Sequence, residues 1–584
     1  MVKPQCLWRQ PAACGVIGVA LVLAACNDSS SDPPPAPATH ALGGTVSGLA
    51  TGATLVLQDA AAGTVSISAN GSFAFTTTLA SGVAYNVSVK TAPASPPQDC
   101  SVAQGSGIMG QADVGAISVT CVAAVPLALS ISAPSQAPMG TLARYTVTET
   151  HGIALTSVTW TFDGIAGGHA LAGLANGTVQ VWNTPGAHAV RVVATASGGR
   201  SGEATAATTA IGAPLVSSSA SSCALTPSGD VQCWGYGNFG TLGNGGLADQ
   251  ATPVAATGLS GMLGLAGGGQ HICGVTGSQA VMCWGDNTDG QLGHAASLHI
   301  SSNPLPVAAD GLTGVVSLAA GATHTCALKS DGSVVCFGDN TNGQLGTGSA
   351  GTPSVTPLAV TGLGNVVALS AGGGAFTCAL KADGSVLCWG DNSTGQLGDG
   401  LRSATPRATP GPVLTPTGAA LTGVLALRSG AYHTCAILDD GHASVVCWGY
   451  NAQNQVSGGA FNVVYPATPV PGLSGVNALS MTSYSSCASG FDGSFACWGN
   501  NAFAESDGKG VAGSSLTAPA PFGGLQGAQQ PLYGSGGNGF LCVLGAAGGA
   551  QCVGRGNNAQ LGNGVAATAF TLQTVNVPAG TFWH

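Results

Sequence analysis

Seven pairs of cysteines recur at a nearly constant period through the C-terminal part of the chain, from Cys223 to Cys552. In one repeat, Cys326 and Cys336 enclose nine residues, and one aromatic residue and the phrase Gly-Asp-Asn-Thr-Asn-Gly-Gln-Leu-Gly follow. A period of roughly 50 residues, with glycine turns between short runs of β-forming residues, is typical of the blades of a β-propeller. Residues 214–584 are therefore predicted to form an all-β ring of seven blades.

The spacing within each pair predicts a disulfide across a β-hairpin. Between Cys326 and Cys336, three residues per strand leave a loop, Ser330-Asp331-Gly332, whose last position suits a glycine in the left-handed region. The two cysteines then face each other at a Cα separation of roughly 4.5 to 5.5 Å, which a disulfide spans. Zinc sites use shorter spacings, so metal binding is the disfavoured alternative. The predicted blade disulfides are Cys223–Cys233, Cys273–Cys283, Cys326–Cys336, Cys378–Cys388, Cys435–Cys447 (with a loop two residues longer), Cys487–Cys497 and Cys542–Cys552.

The N-terminal segment, positions 1–26, is predicted to be an export signal. Lys3 and Arg9 are basic, and the apolar stretch Gly15–Ala25 is shorter than the roughly 20 residues that span a bilayer. The stretch ends in Leu23-Ala24-Ala25-Cys26, which resembles the lipobox of bacterial lipoproteins. This resemblance implies lipidation of Cys26, and Asn27 after it implies sorting to the outer membrane, facing the periplasm or the cell surface. An ordinary secretory signal is the alternative.

The use of cysteine agrees with export to an oxidising compartment. Of 19 cysteines, Cys6 and Cys14 leave with the signal and Cys26 carries the lipid. The remaining even number pairs as the seven blade disulfides and Cys100–Cys121. The net charge of −10 becomes −12 once the two basic residues of the signal are removed. Because nucleic-acid binding needs a basic surface, a nucleic-acid partner is not expected.

Three segments separate the signal from the ring. Residues 27–40 are rich in serine and proline and predict a tether. Residues 41–124 alternate apolar and polar positions and predict a β-sandwich, in which Asn70-Gly71 indicates a hairpin. Residues 125–213 predict a second sandwich. Its segments Trp160-Thr-Phe162 and Thr184-Pro185-Gly186 resemble core strands of polycystic-kidney-disease-type immunoglobulin-like modules, which implies a spacer or adhesive unit with Trp160 in its core.

The repeats resemble the regulator of chromosome condensation family. They share the phrases Cys-Ala-Leu, Asp-Gly, Val-Cys-Trp-Gly, Asp-Asn and Gly-Gln-Leu-Gly, with Phe337 and Val553 replacing the tryptophan in two repeats. The sixth repeat loses the Gly-Gln-Leu-Gly phrase, so its outer loop is expected to differ. The resemblance implies a seven-bladed propeller and brings two precedents. One is guanine-nucleotide exchange on a small GTPase, and the other is an exported bacterial propeller that inhibits β-lactamases through one face.

Three further patterns are interpreted as structural. Gly235–Gly240 matches a dinucleotide fingerprint but is one copy of a repeated turn with no helix after it. His271, His324 and His433 share a slot two residues before the first cysteine of their blades, and we expect them to pack between blades and bond to the backbone. Asp286–Gly290 is similar to a calcium loop but lacks the distal glutamate. No catalytic, cofactor-binding or metal site is predicted.

The sequence therefore predicts a non-enzymatic binding scaffold that recognises a protein or a glycan through propeller loops. Guanine-nucleotide exchange by family analogy and a secreted propeller enzyme are the alternatives. We expect a monomer without cofactors that contacts the membrane only through its N-terminal lipid. Residues 571–584 are expected to add a final outer strand or to dock near Leu215. The candidate contact residues are Arg402 and Arg407 in the insertion 401–423, and Phe461 and Tyr465 in the linker 460–466.

Overall fold

The computed structural model describes residues 38–197, 200–456, 462–509, 513–525, 533–544 and 549–577. Strands dominate these ranges, which confirms the all-β prediction, and a short 3-10 turn occurs at Ala295–Ser297. The chain divides into two compact units, Met1–Ala124 and Val125–His584. Within the described ranges no helix has the length and hydropathy of a membrane span. The export signal, Cys26 and most of the tether lie outside the described residues.

The first unit contains small sheets around one apolar core. Its strands are β1 (Thr39–His40), β2 (Leu42–Ser47), β3 (Leu55–Asp59), β4 (Gly63–Ile67), β5 (Gly71–Ala74), β6 (Leu79–Ala80), β7 (Ala84–Asn86), β8 (Ser88–Thr91), β9 (Gln98–Ala103), β10 (Ser106–Ile108) and β11 (Val114–Ala123). The main sheets have the orders β5-β2-β11-β9 and β4-β3-β8. Both sheets contribute to the core, as Leu42 and Leu57 illustrate. Cys100 and Cys121 pair directly across β9 and β11 and form the expected disulfide.

The hairpin predicted at Asn70-Gly71 is wrong. Strand β4 pairs with β3, whereas β5 pairs with β2, so the two strands on either side of the turn belong to different sheets. The Asn70 side chain instead bonds both backbone groups of Leu49, accepting from its N–H and donating to its carbonyl at 2.7 Å each. The Asn-Gly pair therefore moves the chain from one sheet to the other.

The second unit begins with another sandwich. Its strands are β12 (Leu129–Ser132), β13 (Gln136–Pro138), β14 (Leu142–Glu149), β15 (Leu155–Phe162), β16 (Ile165–Ala166), β17 (Gly177–Val181), β18 (Gly186–Ala196) and β19 (Ser201–Ile211). They form the sheets β12-β14-β17 and β13-β19-β18-β15-β16. Trp160 lies in the core, as predicted, and packs near Tyr145 and Phe162. The Tyr145 hydroxyl accepts from Trp182 Nε1 at 2.8 Å and so joins the two aromatic side chains.

Seven four-stranded sheets follow, which confirms the seven blades. The first four blades comprise β20 (Leu215–Ser217), β21 (Ser221–Leu225), β22 (Val231–Gly235), β23 (Gln250–Ala255); β24 (Met262–Gly267), β25 (His271–Thr276), β26 (Val281–Gly285), β27 (Asn303–Ala308); β28 (Val315–Ala320), β29 (His324–Lys329), β30 (Val334–Asn340), β31 (Gly351–Ala359); and β32 (Val366–Gly372), β33 (Phe376–Lys381), β34 (Val386–Asn392), β35 (Ser403–Pro412). The last three comprise β36 (Val424–Ser429), β37 (His433–Leu438), β38 (Val445–Tyr450), β39 (Val463–Pro469); β40 (Val476–Met481), β41 (Ser485–Gly490), β42 (Phe495–Gly499), β43 (Leu516–Pro521); and β44 (Tyr533–Gly536), β45 (Phe540–Leu544), β46 (Ala550–Gly554), β47 (Ala569–Thr574).

Each blade carries one disulfide between its second and third strands, at directly opposed positions. The Cα separations are 4.0 to 4.1 Å, at the short end of facing pairs and below the expected range. Gly332 closes its hairpin loop at φ 78°, as predicted. The longer fifth loop keeps the same pairing, Cys435 opposite Cys447. The first strands of neighbouring blades contact one another around the whole ring.

The ring closes without exchanging a strand, because the first and seventh blades each consist of four consecutive strands. Strand β47, which includes Thr571, is the outer strand of the seventh blade, as expected. Strand β20 lies beside β44, and Leu215 and Trp234 share an apolar cluster with Phe540. Trp234 Nε1 also donates to the carbonyl of Gln560 at 3.0 Å. Residues 578–584 lie outside the described residues.

Candidate ligand-binding face of the propeller

The antiparallel order of each blade gives the ring two different faces. The hairpin face carries the disulfide-closed loops between second and third strands and the linkers that lead to the next blade. The turn face carries the short loops between first and second strands and the longer turns between third and fourth strands.

The second sandwich covers part of the hairpin face. Leu142 and Val181 of the sandwich belong to one apolar cluster with Leu425 and Ile437 of the fifth blade. The Arg144 guanidinium lies 5.5 Å from the ring centre of Phe491 in the sixth blade. This face of the fifth and sixth blades is therefore already occupied by the chain itself.

Polar contacts hold the same sandwich in place. His169 Nδ1 and the carboxylate of Asp439 are 2.8 Å apart, and the N–H of Ala172 donates to the Gly441 carbonyl at 2.6 Å. The first strands of the seven blades surround a central channel. At its hairpin-face end, a cavity is lined by Met139 of the sandwich and by first-strand residues such as Leu318. The sandwich therefore lies over this end of the channel.

The turn face is built from seven equivalent residue pairs. We call the short loop between the first and second strands of a blade its inner loop. In each blade, one residue directly follows the Trp-Gly position of the third strand. Its N–H donates to the carbonyl of a residue in the inner loop, at 2.7 to 3.0 Å. The glycine before it has a positive φ, 108° at Gly338, where a Cβ would lie 2.5 Å from the Thr323 carbonyl oxygen. We call the two sets rim and inner residues. From the first blade to the seventh, the rim residues are Tyr236, Asp286, Asp339, Asp391, Tyr450, Asn500 and Arg555, and the inner residues are Ala220, Gln270, Thr323, Ala375, Tyr432, Tyr484 and Gly539.

Three neighbouring rim positions are aspartates, which we call the acidic arc: Asp286, Asp339 and Asp391. Each accepts from the glutamine of its own turn, as Gln344 Nε2 does to Asp339 at 2.7 Å. None forms an ion pair with lysine or arginine within the described ranges. Burial, followed by the charges of Asp339 and Asp286, raises the pKa of nearby Asp289. The arc therefore combines an anchored backbone with carboxylates that, within the described ranges, pair directly with no lysine or arginine; Arg402 reaches the turn of Asp391 through the Ser393 carbonyl.

The calcium-like segment Asp286–Gly290 coincides with one of these turns. The Asp286 carboxylate accepts from the N–H and hydroxyl of Thr288 and from Gln291 Nε2. Among the residues that the structure describes, no group of three or more histidine, cysteine or acidic side chains is arranged to hold a metal ion. Gly235–Gly240 is the equivalent turn of the first blade, as expected from its place in the repeat.

A tyrosine cluster lies beside the acidic arc on the turn face. It consists of Tyr432, Tyr450 and Tyr484, all half-buried, with ring centroids 6.1 to 6.4 Å apart. Tyr450 meets the other two edge to face, whereas Tyr432 and Tyr484 stack at 26°. Burial, with smaller effects from the two neighbouring phenols, raises the pKa of Tyr484, so its hydroxyl is neutral at physiological pH.

The residues that the sequence singled out as contact loops occupy different places. Residues 403–412 and 463–469 are the outer strands β35 and β39, so Arg407 and Tyr465 lie in strands rather than loops. Arg407 bonds Asp399 at 3.0 Å and two backbone carbonyls, and Arg402 Nε bonds the Ser393 carbonyl at 2.6 Å. Phe461 lies outside the described residues. Their role in ligand contact stays a prediction.

The three slot histidines pack between blades, as expected, but their partners are hydroxyls rather than backbone groups. The Nε2 atoms of His271, His324 and His433 lie 2.9, 2.8 and 2.9 Å from hydroxyl oxygens of the next blade. The hydroxyls belong to Thr325, Thr377 and Ser486. Burial is the main cause that lowers their pKa, to about 3, about 4 and about 3 respectively. These histidines are neutral structural groups with no access to a ligand.

No prediction from the sequence included the rim positions, although the sequence differs there between repeats. The residue after each Trp-Gly or its equivalent is of four types across the seven blades, Asp, Tyr, Asn and Arg. In the second, third, fourth and sixth blades this side chain also forms a hydrogen bond within its own turn.

These features define an RCC1-repeat β-propeller domain. The regulator of chromosome condensation (RCC1) repeat family matches residues 264–291, 315–344, 366–396 and 424–455 in one form. In a second form it matches residues 280–328, 331–380 and 383–437. RCC1-repeat propellers are a class of protein-binding scaffold.

Curated relatives share this domain at modest identity. The ultraviolet-B receptor UVR8 of Arabidopsis thaliana is 28% identical over 250 residues, 42% of this chain and 55% of the receptor. The E3 ubiquitin-protein ligase HERC2 of Homo sapiens is 29% identical over 265 residues, 43% of this chain and 5% of the ligase. The chain thus spans about half the length of the receptor and a small part of the ligase.

Solved structures show the same fold. Prp20p of Saccharomyces cerevisiae, described with binding properties to Gsp1p and histones, has a TM-score of 0.51 at 21% identity over 61% of this chain and 88% of that one. Human WBSCR16 has a TM-score of 0.52 at 18% identity over 60% of this chain and 95% of that one. At these identities the likeness concerns the fold alone.

Proposed function

We propose that the chain is an exported, lipid-anchored, non-enzymatic scaffold that binds a protein ligand with the turn face of its propeller. The observation that carries the proposal is the asymmetry of the ring. The sandwich already occupies the hairpin face at the fifth and sixth blades, whereas the turn face presents seven rim residues of four types on a repeated frame.

The disulfides support the cellular location in this proposal. Eight disulfides join sixteen cysteines, and such a number indicates an oxidising, extracytoplasmic location. The lipobox-like sequence ending in Cys26 supports a lipid anchor, which the tether would hold apart from the folded units. Guanine-nucleotide exchange needs an intracellular GTPase, so the same disulfides weigh against it.

The rigidity of the turn face supports a binding role. Every rim residue is held by a backbone hydrogen bond to its inner residue, and the acidic arc is braced by glutamine side chains. A surface that is ordered before binding loses little conformational entropy when a partner docks.

Photocrosslinking in the native host tests which face binds. A photoreactive residue such as p-benzoylphenylalanine would replace Gln270 or Asn538, which are exposed in inner loops of the turn face. The matched control replaces Ser330, which is exposed in a hairpin loop on the opposite face. We expect a discrete crosslinked protein band from both turn-face positions and none from Ser330. A band from Ser330 alone would overturn the proposed face.

A further inference from the structure

We propose that the tyrosine cluster is the anchor of the turn face, and that its protein partner presents an apolar side chain flanked by lysine or arginine. This inference rests on the proposed function, because it names the centre and the chemistry of the same face. Its three residues sit in adjacent blades, with Tyr432 and Tyr450 in the fifth and Tyr484 in the sixth.

The cluster is ordered before any partner arrives. Tyr432 packs over Gly374 of the fourth blade, where a Cβ would come within 2.4 Å of the ring. The N–H of Gly374 donates to the Ala431 carbonyl at 2.5 Å, which fixes the loop that carries the ring. Tyrosine offers a large amphipathic surface with few rotatable bonds, so interface anchors are enriched in it.

The packing of the rings favours a protein over a glycan. Sugars stack on open aromatic faces, but the Tyr450 ring meets its two neighbours at 66° and 65°. Ring edges therefore meet ring faces, and the three half-buried rings do not form one flat platform of parallel faces. An apolar side chain of a protein packs against ring edges, and the hydroxyls bond to its backbone.

The acidic arc supplies the charge preference. Gln396 Nε2 donates to Asp391 at 2.8 Å and lies 3.5 Å from the Gly374 carbonyl, so one bonded path joins the arc to the base of Tyr432. Asp339 and Asp286 continue the arc away from the cluster. Near them, the charge of His299 opposes the rise in the pKa of Asp289. Carboxylates without a direct ion pair next to an anchor attract a cationic partner and repel an anionic one.

A displayed library of random dodecapeptides is the probe for this chemistry. The disulfide-bonded protein, beginning after Cys26 and held by an N-terminal tag, is panned against the library, and enriched peptides are synthesised for affinity measurement. We expect peptides with an aromatic or aliphatic residue flanked by lysine or arginine. Tyr432→Ala with Tyr484→Ala should weaken them about 30-fold or more, as loss of an interface anchor does.

Two further variants keep the test decisive. Asp339→Asn with Asp391→Asn should weaken binding severalfold and flatten its salt dependence, and Asn500 shows that asparagine is accommodated at a rim position. Tyr85→Ala, in the first unit and half-buried like the cluster, is the matched tyrosine control and should bind normally. Melting temperatures confirm that each variant folds.

Each outcome decides the inference. Enrichment of acidic peptides, or binding within twofold of the unsubstituted protein after both tyrosine substitutions, would overturn it. If turn-face crosslinks form in cells but the tyrosine variants crosslink equally well, the proposed function stands and only this inference fails.

Discussion

At the residue scale, the slot histidines illustrate how neighbouring blades constrain each other. Thr325 donates its hydroxyl hydrogen to the Gln291 carbonyl at 2.9 Å, so it accepts from the Nε2–H of His271. The Nδ1 atom of His271 is then buried without a partner. Protonation would add a second buried N–H there, which is why the pKa falls.

The type of residue in this slot is related to the type of residue that faces it from the next blade. Where the next blade offers Ile272 or Leu541 instead of a hydroxyl, the slot holds Ser221 or Ser485, which bonds within its own blade. Glycine precedes each slot histidine by three residues, and a Cβ at Gly321 would lie 2.1 Å from His324 Cε1. The sequence contained this correlation, but only the contact between blades gives it a meaning.

Acid sensitivity follows from these histidines. Their pKa is about 3 to 4 in the fold against an ordinary value of 6.5, so the unfolded chain takes up protons that the folded chain refuses. Each should cost about 1.4 kcal/mol of stability per pH unit below 6.5 until its folded pKa is reached. Phenylalanine occupies the same slot in the fourth and seventh blades, as Phe376 and Phe540. Replacing all three slot histidines with phenylalanine should therefore reduce the fall in melting temperature between pH 7 and pH 5.

A substitution that removes no titratable group provides the control for that experiment. Ser330→Ala, in an exposed hairpin loop, should melt with the same pH dependence as the unsubstituted protein. An unchanged slope in the triple variant would show that other groups govern acid stability.

The outer loop of the sixth blade differs in its backbone but keeps one side-chain contact. The N–H of Gly508 bonds the carbonyl four residues earlier, at Ala504, whereas that of Gly346 bonds the carbonyl three residues earlier, at Gly343. Asn500 Nδ2 donates to the Glu505 carboxylate at 2.5 Å, where the second to fourth blades pair a rim aspartate with a glutamine. Burial raises the pKa of Glu505. An amide and a carboxylate simply exchange positions, which a search for identical residues misses.

At the scale of the element, the hairpins were predictable because their rules are local. Residue spacing, a closing glycine and alternation fix which cysteines face each other, and all seven pairs follow them. The Asn70-Gly71 hairpin failed because pairing with a distant strand overrode the same local signal. The structure of residues 401–423 also depends on pairing outside the segment, because residues 403–412 form strand β35 by pairing with β34.

Removing one blade disulfide measures its contribution to the free energy of unfolding. Cys326→Val with Cys336→Val keeps the buried space filled but releases a short loop, so stability should fall by about 2–3 kcal/mol in the chain-entropy account. Urea unfolding followed by tryptophan fluorescence, with Ser330→Ala in the same hairpin as control, gives the change. A loss no larger than that of the control would contradict the role assigned to the disulfide.

At the scale of the whole molecule, the two faces of the ring differ: the second sandwich packs on the hairpin face, and we propose the turn face for ligand binding. Blade number and order followed from the repeat alone. The placement of the sandwich did not follow from the repeat, because its contacts join residues far apart in the chain, Ala172 to Gly441 and His169 to Asp439. The sequence alone therefore does not distinguish the turn face from the hairpin face as a binding surface.

Hydrogen–deuterium exchange of the mature protein, alone and with its crosslink-identified partner, distinguishes binding at the turn face from binding at the hairpin face. We predict new protection in the inner loops 430–432 and 482–484 and around the rim, with the hairpin loops 330–333 and 382–385 unchanged. Protection confined to the hairpin loops, with the turn face exchanging as in the free protein, would contradict it.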